Sequence, residues 1–166
     1  MTWASEDEAI AALFHEHARS LVRLARLFAD DRNAAEDLVQ EAFLRLRRSF
    51  HRIESPDRTA AYLRSIVLNL ARDHNRRGLM SLRHRMPEEE TRLSAEDRIV
   101  MREDQQQVID ALQALPRRQR DCVTLRYYLD LSIPDIAMTL GISANSVKTH
   151  LQRGMAVLEA RLEATP

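Results

Sequence analysis

One cysteine, three glycines, one lysine and no net charge are the scarcities of this 166-residue sequence. A lone Cys122 excludes an internal disulfide framework and fits a reducing compartment. So few glycines, with few β-branched runs, argue against a sheet, and there is no glycine-rich phosphate loop. No apolar run approaches the roughly 18 residues that read as a membrane span. The opening MTWASEDEAIAAL has neither a basic start nor a long apolar core, so no signal peptide is expected. His15 and His17 stand two apart, cannot share a helical face and make a poor metal pair, and the other histidines are scattered. Cys122 lies on an apolar helix with no CxxC partner and reads as a buried structural thiol. No Ser-His-Asp pattern is present. The expectation is no enzyme site, no metal and no cofactor.

What is there is a soluble, helical chain, 45% hydrophobic and 30% charged. Its length suits one ordinary domain or two small ones. Small helical units bury little core and lean on partners. The zero net charge hides an uneven distribution. Residues 58–85 carry seven arginines and one acid, a net of +6, whereas 86–110 carry eight acids and three arginines, a net of −5. Such a pair of stretches suggests a nucleic-acid-facing segment and a second segment that avoids or mimics nucleic acid.

Along the chain, Ser5 to Glu8 has the form of a capping box, and Ile10, Leu13, Phe14, Leu21, Leu24, Ala25 and Phe28 follow at helical spacing. A break at 30–33 precedes a second helix, started by Asn33 with Glu36, that buries Leu38, Val39, Phe43 and Leu46. Residues 51–57 read as a loop, with Pro56 suited to the first turn of the next helix. That helix, 58–77, puts Leu63, Ile66, Val67 and Leu70 on one side. Ser65, Asn69, Arg72 and Arg76 fall opposite, with Tyr62 at the edge, and Gly78 ends it. Residues 79–102 have weak periodicity and read as a flexible acidic linker. Val108, Ile109, Leu112 and Leu115 then make a helix ended by Pro116, and 117–128 another, with Cys122, Val123, Leu125 and Tyr127 inward.

The last stretch, LSIPDIAMTLGISANSVKTHLQRGMAVLEARL, reads as a helix-turn-helix. Ser132 caps a short helix, Ala137 lets the second helix approach, and Gly141 takes the turn. Ser143 caps the final helix, which Val147, Leu151, Leu158 and Leu162 hold down. Its outward positions are Ala144, Asn145, Lys148, Thr149, Gln152 and Arg153. Asn and Gln suit adenine edges, Arg suits guanine or phosphate, and the Thr methyl can touch thymine. Such a helix enters the major groove by its N-terminal end.

The stretches AAEDLVQEAFLRL at 34–46, AAYLRSIVLNLARDHNRR at 60–77 and ALPRRQRDCVTLRYYLDLSIPDIAMTL onward closely resemble the extracytoplasmic-function sigma factors of bacterial RNA polymerase. The resemblance covers both halves in the family's order. It implies that Asp37, Gln40 and Glu41 dock on the clamp coiled coil of the polymerase β′ subunit. It implies that 51–59 and the helix after it read the −10 element as unwound DNA, with Asn69 lining a pocket for an extruded base. Tyr62 would stack there, and Arg72, Arg76 and Arg77 would track phosphates. The final unit would bind the β flap and read the −35 duplex through Asn145, Lys148, Thr149, Gln152 and Arg153. The acidic linker would thread through the polymerase. Three departures stand out. Tyr62 and Arg47 occupy positions where the family often has Trp, and His150 replaces a common arginine.

The expectation is therefore an all-α protein of two small helical domains. Residues 5–78 form the region 2-like unit, 79–102 the linker and 103–164 the region 4-like helix-turn-helix. Its partners would be core polymerase, promoter DNA and an anti-sigma factor, in the cytoplasm without membrane insertion. Two alternatives stay open: a stand-alone helix-turn-helix regulator, and an adaptor that docks on polymerase without reading promoters.

Overall fold

The computed structural model describes residues 5–29, 32–78 and 95–164, and the side chains of all of these except 75–78 and 95–102. The described residues form seven α-helices and no strand, so the all-helical expectation holds. The chain divides into two compact units. The first is built on α1 (Glu6–Arg26), α2 (Arg32–Ser49) and α3 (Pro56–Gly78), which pack on one another.

The starts of α1 and α3 are written in the sequence. The Ser5 hydroxyl accepts from the Glu8 amide at 3.2 Å, and Glu6, Asp7 and Glu8 fill the first turn of α1. Acids there complement the exposed amides and the helix dipole. At α3 the Ser55 hydroxyl accepts from the Arg58 amide at 3.3 Å, while Pro56 takes the first helical position, where no amide hydrogen is needed. A 3₁₀ turn, Phe50–Arg52, occupies part of the segment read as loop, and α3 opens two residues earlier than the sequence suggests. Likewise α2 already includes Arg32, so Asn33 sits inside the first turn rather than capping it; an Arg32–Glu36 pair at 3.0 Å spans that turn. Leu21, Leu24, Leu46, Leu63 and Val67 are almost wholly buried. Truncating one such leucine to alanine costs about 2–5 kcal/mol.

The second unit is built on α4 (Ala95–Gln113), α5 (Arg117–Val123), the part of α6 (Ile133–Leu140) up to Ala137, and α7 (Ala144–Glu163). Of the segment read as linker, 79–94 lie outside the described residues, whereas 95–102 belong to α4. In the sequence, Ser94 with Asp97 has capping-box spacing, a start signal submerged in the acidic composition. Within α4, Ala111 and Leu115 face inward while Val108 is 44% exposed. Both α4 and α5 pack against α7. Gly154 makes the close approach: a Cβ built there would lie 2.9 Å from the Val123 Cγ2 methyl.

After α5 the chain makes a π turn, Thr124–Tyr128, closed by the Leu129 amide on the Thr124 carbonyl at 3.3 Å. The wider turn holds an extra residue and rotates everything after it. Leu125 stays buried, but Tyr127, expected inward, is 62% exposed. Asp130 then adopts φ 56°, and the Arg126 guanidinium donates to the Leu131 carbonyl at 2.8 Å, bracing the loop that leads into α6.

Candidate functional site

Three helical faces carry the residues singled out by sequence. On α2, Asp37 and Gln40 are exposed and Glu41 is half-buried. Their spacing puts them on one strip. The Glu41 carboxylate accepts from Arg45 Nε at 3.2 Å, an exposed i,i+4 pair worth a few tenths of a kcal/mol, about 0.3–0.5. The same strip ends in Leu44, 52% exposed, which sequence reading missed. An apolar residue at i+7 from Asp37 on a polar face was the available signal. Nearby, the half-exposed Phe14 ring leans on Phe43 with centroids 5.2 Å apart. Arg47 reaches across to Asp7 on α1 at 3.1 Å, which gives it a tethering contact.

On α3, Tyr62 and Asn69 are exposed seven residues apart, two turns up the same face. Arg72 corrects the sequence reading. It was placed with them on the solvent side, yet it is only 9% exposed. The reason is that α3 has two buried sides, one with Leu63, Ile66 and Val67 and another with Ala61, Leu68 and Ala71, and it packs on both α1 and α2. A helical wheel with a single apolar arc cannot show this. The Arg72 guanidinium donates from Nε to the Leu68 carbonyl at 3.3 Å and from Nη2 to Asn69 Oδ1 at 3.1 Å. Arg76 and Arg77 lie on α3, but their side chains fall outside those described.

On α7 the five residues Asn145, Lys148, Thr149, Gln152 and Arg153 are all exposed and occupy one contiguous strip. The turn that presents them is built locally. Gly141 has φ 67° with open space around its α-carbon, so the requirement there is conformational rather than steric. The Ile142 amide donates to the Ala137 carbonyl at 3.1 Å, and the Ser143 hydroxyl accepts from the Ser146 amide at 3.1 Å. The Ser132 hydroxyl likewise accepts from the Asp135 amide at 3.2 Å at the start of α6. Thr149 Oγ1 donates back to the Asn145 carbonyl at 3.1 Å, which fixes its rotamer. From Ala144 to Leu158 the helix has no acid, so nothing on it repels a phosphate backbone. Leu162 is not a core anchor: it is 40% exposed in a last turn that is exposed all round.

Residues 13–78 match the family described as Sigma-70 region 2, and residues 105–158 match Sigma-70, region 4. The RNA polymerase sigma-E factor of Streptomyces avermitilis is 31% identical over 91% of this chain and 86% of its own length. The chain belongs to the extracytoplasmic-function sigma factors. SigX of Bacillus subtilis, also an extracytoplasmic-function sigma factor, is 26% identical over 95% of the chain and 85% of its own length. Among solved structures, CnrH in complex with the cytosolic domain of CnrY aligns with a TM-score of 0.72 at 25% identity, covering 98% of this chain and 92% of that one. The sigma factor RpoE of Bartonella quintana shares the fold, with a TM-score of 0.61 at 20% identity over 93% and 99% of the two chains.

As a sigma factor the protein directs RNA polymerase to promoters. Burial, with the Asp121 charge beside it, pushes the Cys122 thiol up to about 11, which keeps it protonated at neutral pH. Burial also pushes the Asp121 carboxyl up to about 6, against the pull of Arg120, Arg117 and Arg118. Among the described residues no cluster of His, Cys, Asp or Glu could hold a metal ion, and no helix is long and apolar enough to cross a membrane. On α7, His150 is half-buried, and its Nδ1 is enclosed without a hydrogen-bond partner.

Proposed function

We infer that the three faces divide the work of initiation. The α2 strip of Asp37, Gln40, Glu41 and Leu44 docks on the basic clamp coiled coil of the polymerase β′ subunit. Acid and amide groups give steering and register there, and Leu44 supplies apolar contact. The α3 face reads the −10 element as an unwound strand, with Tyr62 stacking and Asn69 meeting an extruded base. Arg76 and Arg77 track phosphates. The strip on α7 reads the −35 duplex, and its unit binds the β flap. Melting needs no fuel in this scheme, because binding to the unwound strand offsets the cost of unpairing. The work takes place in the cytoplasm, where the polymerase is. The boundaries are a region 2 unit over 5–78 and a region 4 unit that begins with α4. An anti-sigma partner is part of the proposal; CnrH, with a similar fold, is held by the cytosolic domain of CnrY.

The observation that carries this reading is the exposed, acid-free strip on α7 in a chain that also exposes Asp37, Gln40 and Leu44 on one strip of α2. The test is co-elution of the full chain with bacterial core polymerase, with Asp37→Arg/Gln40→Ala as control. Tight co-elution that the double variant loses is the expected result. Duplex binding by the chain alone, with no co-elution, would replace the reading with a stand-alone regulator. Co-elution with no promoter preference would leave an adaptor.

A further inference from the structure

The Asn69 side chain is exposed at the proposed −10 face, yet one end of its amide is already taken. A guanidinium has donors and no acceptor, so only the amide oxygen can face it. Arg72 Nη2 stands 3.1 Å from Asn69 Oδ1. Arg72 is itself held, since its Nε donates to the Leu68 carbonyl one turn back and the side chain is only 9% exposed. A buried, doubly anchored arginine is a poor phosphate contact. It is well placed to fix the orientation of the Asn69 amide beside it.

We propose that Arg72 is a positioning residue that locks the Asn69 amide with its oxygen inward and its NH2 outward, so that the extruded −10 base is recognised through a hydrogen-bond acceptor on its edge. The proposal rests on the reading of Asn69 as the base-contacting residue and adds which end of the amide does the reading. A free asparagine can turn over and present either a donor or an acceptor, and so discriminates poorly. Pinning the oxygen removes that freedom before DNA arrives, so the ordering cost is not met on binding. The second lone pair of Oδ1 remains, but the NH2 is the group whose presence outside depends on Arg72.

The test uses holoenzyme assembled from the full chain and core polymerase. It is given a partly duplex DNA pool randomised through the −35 duplex and the unwound non-template −10 strand. Bound molecules are sequenced, and base preference is read position by position. Asn69→Ala flattens one −10 position and so identifies it. Arg72→Met is expected to reduce preference at that same position by about fivefold or more, to leave the other positions unchanged, and to add nothing when combined with Asn69→Ala. Asn69→Asp keeps the Arg72 contact as an ion pair but removes the donor, and is expected to lose the wild-type preference at that position. It also serves if Arg72→Met fails to fold. Three outcomes would overturn the proposal while leaving Asn69 as base reader: full preference in Arg72→Met, an even loss at every position, or a preference retained in Asn69→Asp. If Asn69→Ala itself changes no position, the base-reading role falls and the proposal falls with it.

Discussion

At the scale of single residues, burial decides what each ionisable group does. Asp121 is 1% exposed in the second unit, with its carboxyl pushed up to about 6. An acid whose folded value is raised binds its proton more tightly in the folded state. Its favourable contribution is present below the unfolded value of 3.8 and is lost as pH rises through about 6. Asparagine imitates the protonated form at every pH. Asp121→Asn should therefore stabilise the chain by about 2 kcal/mol near neutral pH and by almost nothing at about pH 4. Thermal melting across that range checks it, and a lower Tm at neutral pH would mean that the neighbouring arginines need the carboxylate. Arg72 shows the opposite lesson. Its charge and its position opposite Leu63 suggested a phosphate contact. What buries it is a second packed side of α3 that residue spacing alone does not mark.

At the scale of elements, the parts legible in the sequence were those built from local signals. Ser132, Gly141 and Ser143 define the turn and both helix starts by contacts within a few residues, and each stands where the sequence put it. Features that depend on distant packing or on a change of helical period were not legible. Tyr127 turned outward because the π turn at 124–128 adds a residue that a 3.6-residue period cannot anticipate. Gly154 was likewise silent, since only the close crossing of α5 and α7 explains it. Glycine to alanine in an open helix gains about 1 kcal/mol from propensity. At Gly154 the new methyl would meet Val123 Cγ2 at 2.9 Å, and a stiff β-branched neighbour cannot swing away. Gly154→Ala should accordingly destabilise the fold by about 1–3 kcal/mol, read as a fall in the denaturation midpoint. A rise would show that the two helices can part without loss.

At the scale of the whole molecule, charge is balanced in total but unevenly distributed along the chain. The +6 stretch at 58–85 is followed by the −5 stretch at 86–110, and the total is zero. A neutral chain gains little from counterion release on random duplex DNA, whereas a basic one gains much. Replacing Glu88, Glu89 and Glu90 by glutamine should tighten binding of the free factor to non-specific duplex severalfold at low salt. The difference should vanish at high salt, as measured by fluorescence anisotropy. Equal affinity at low salt would show that these acids do not restrain the free factor. The contact between Gly154 and Val123 also has a consequence at this scale. It lies nine residues beyond Asn145, about 13 Å along α7. It is thus a fulcrum, with Arg153 beside it and Asn145 at the far end of the lever. A small tilt at the fulcrum is magnified at Asn145, so the packing of α5 on α7 sets where that end of the strip lies.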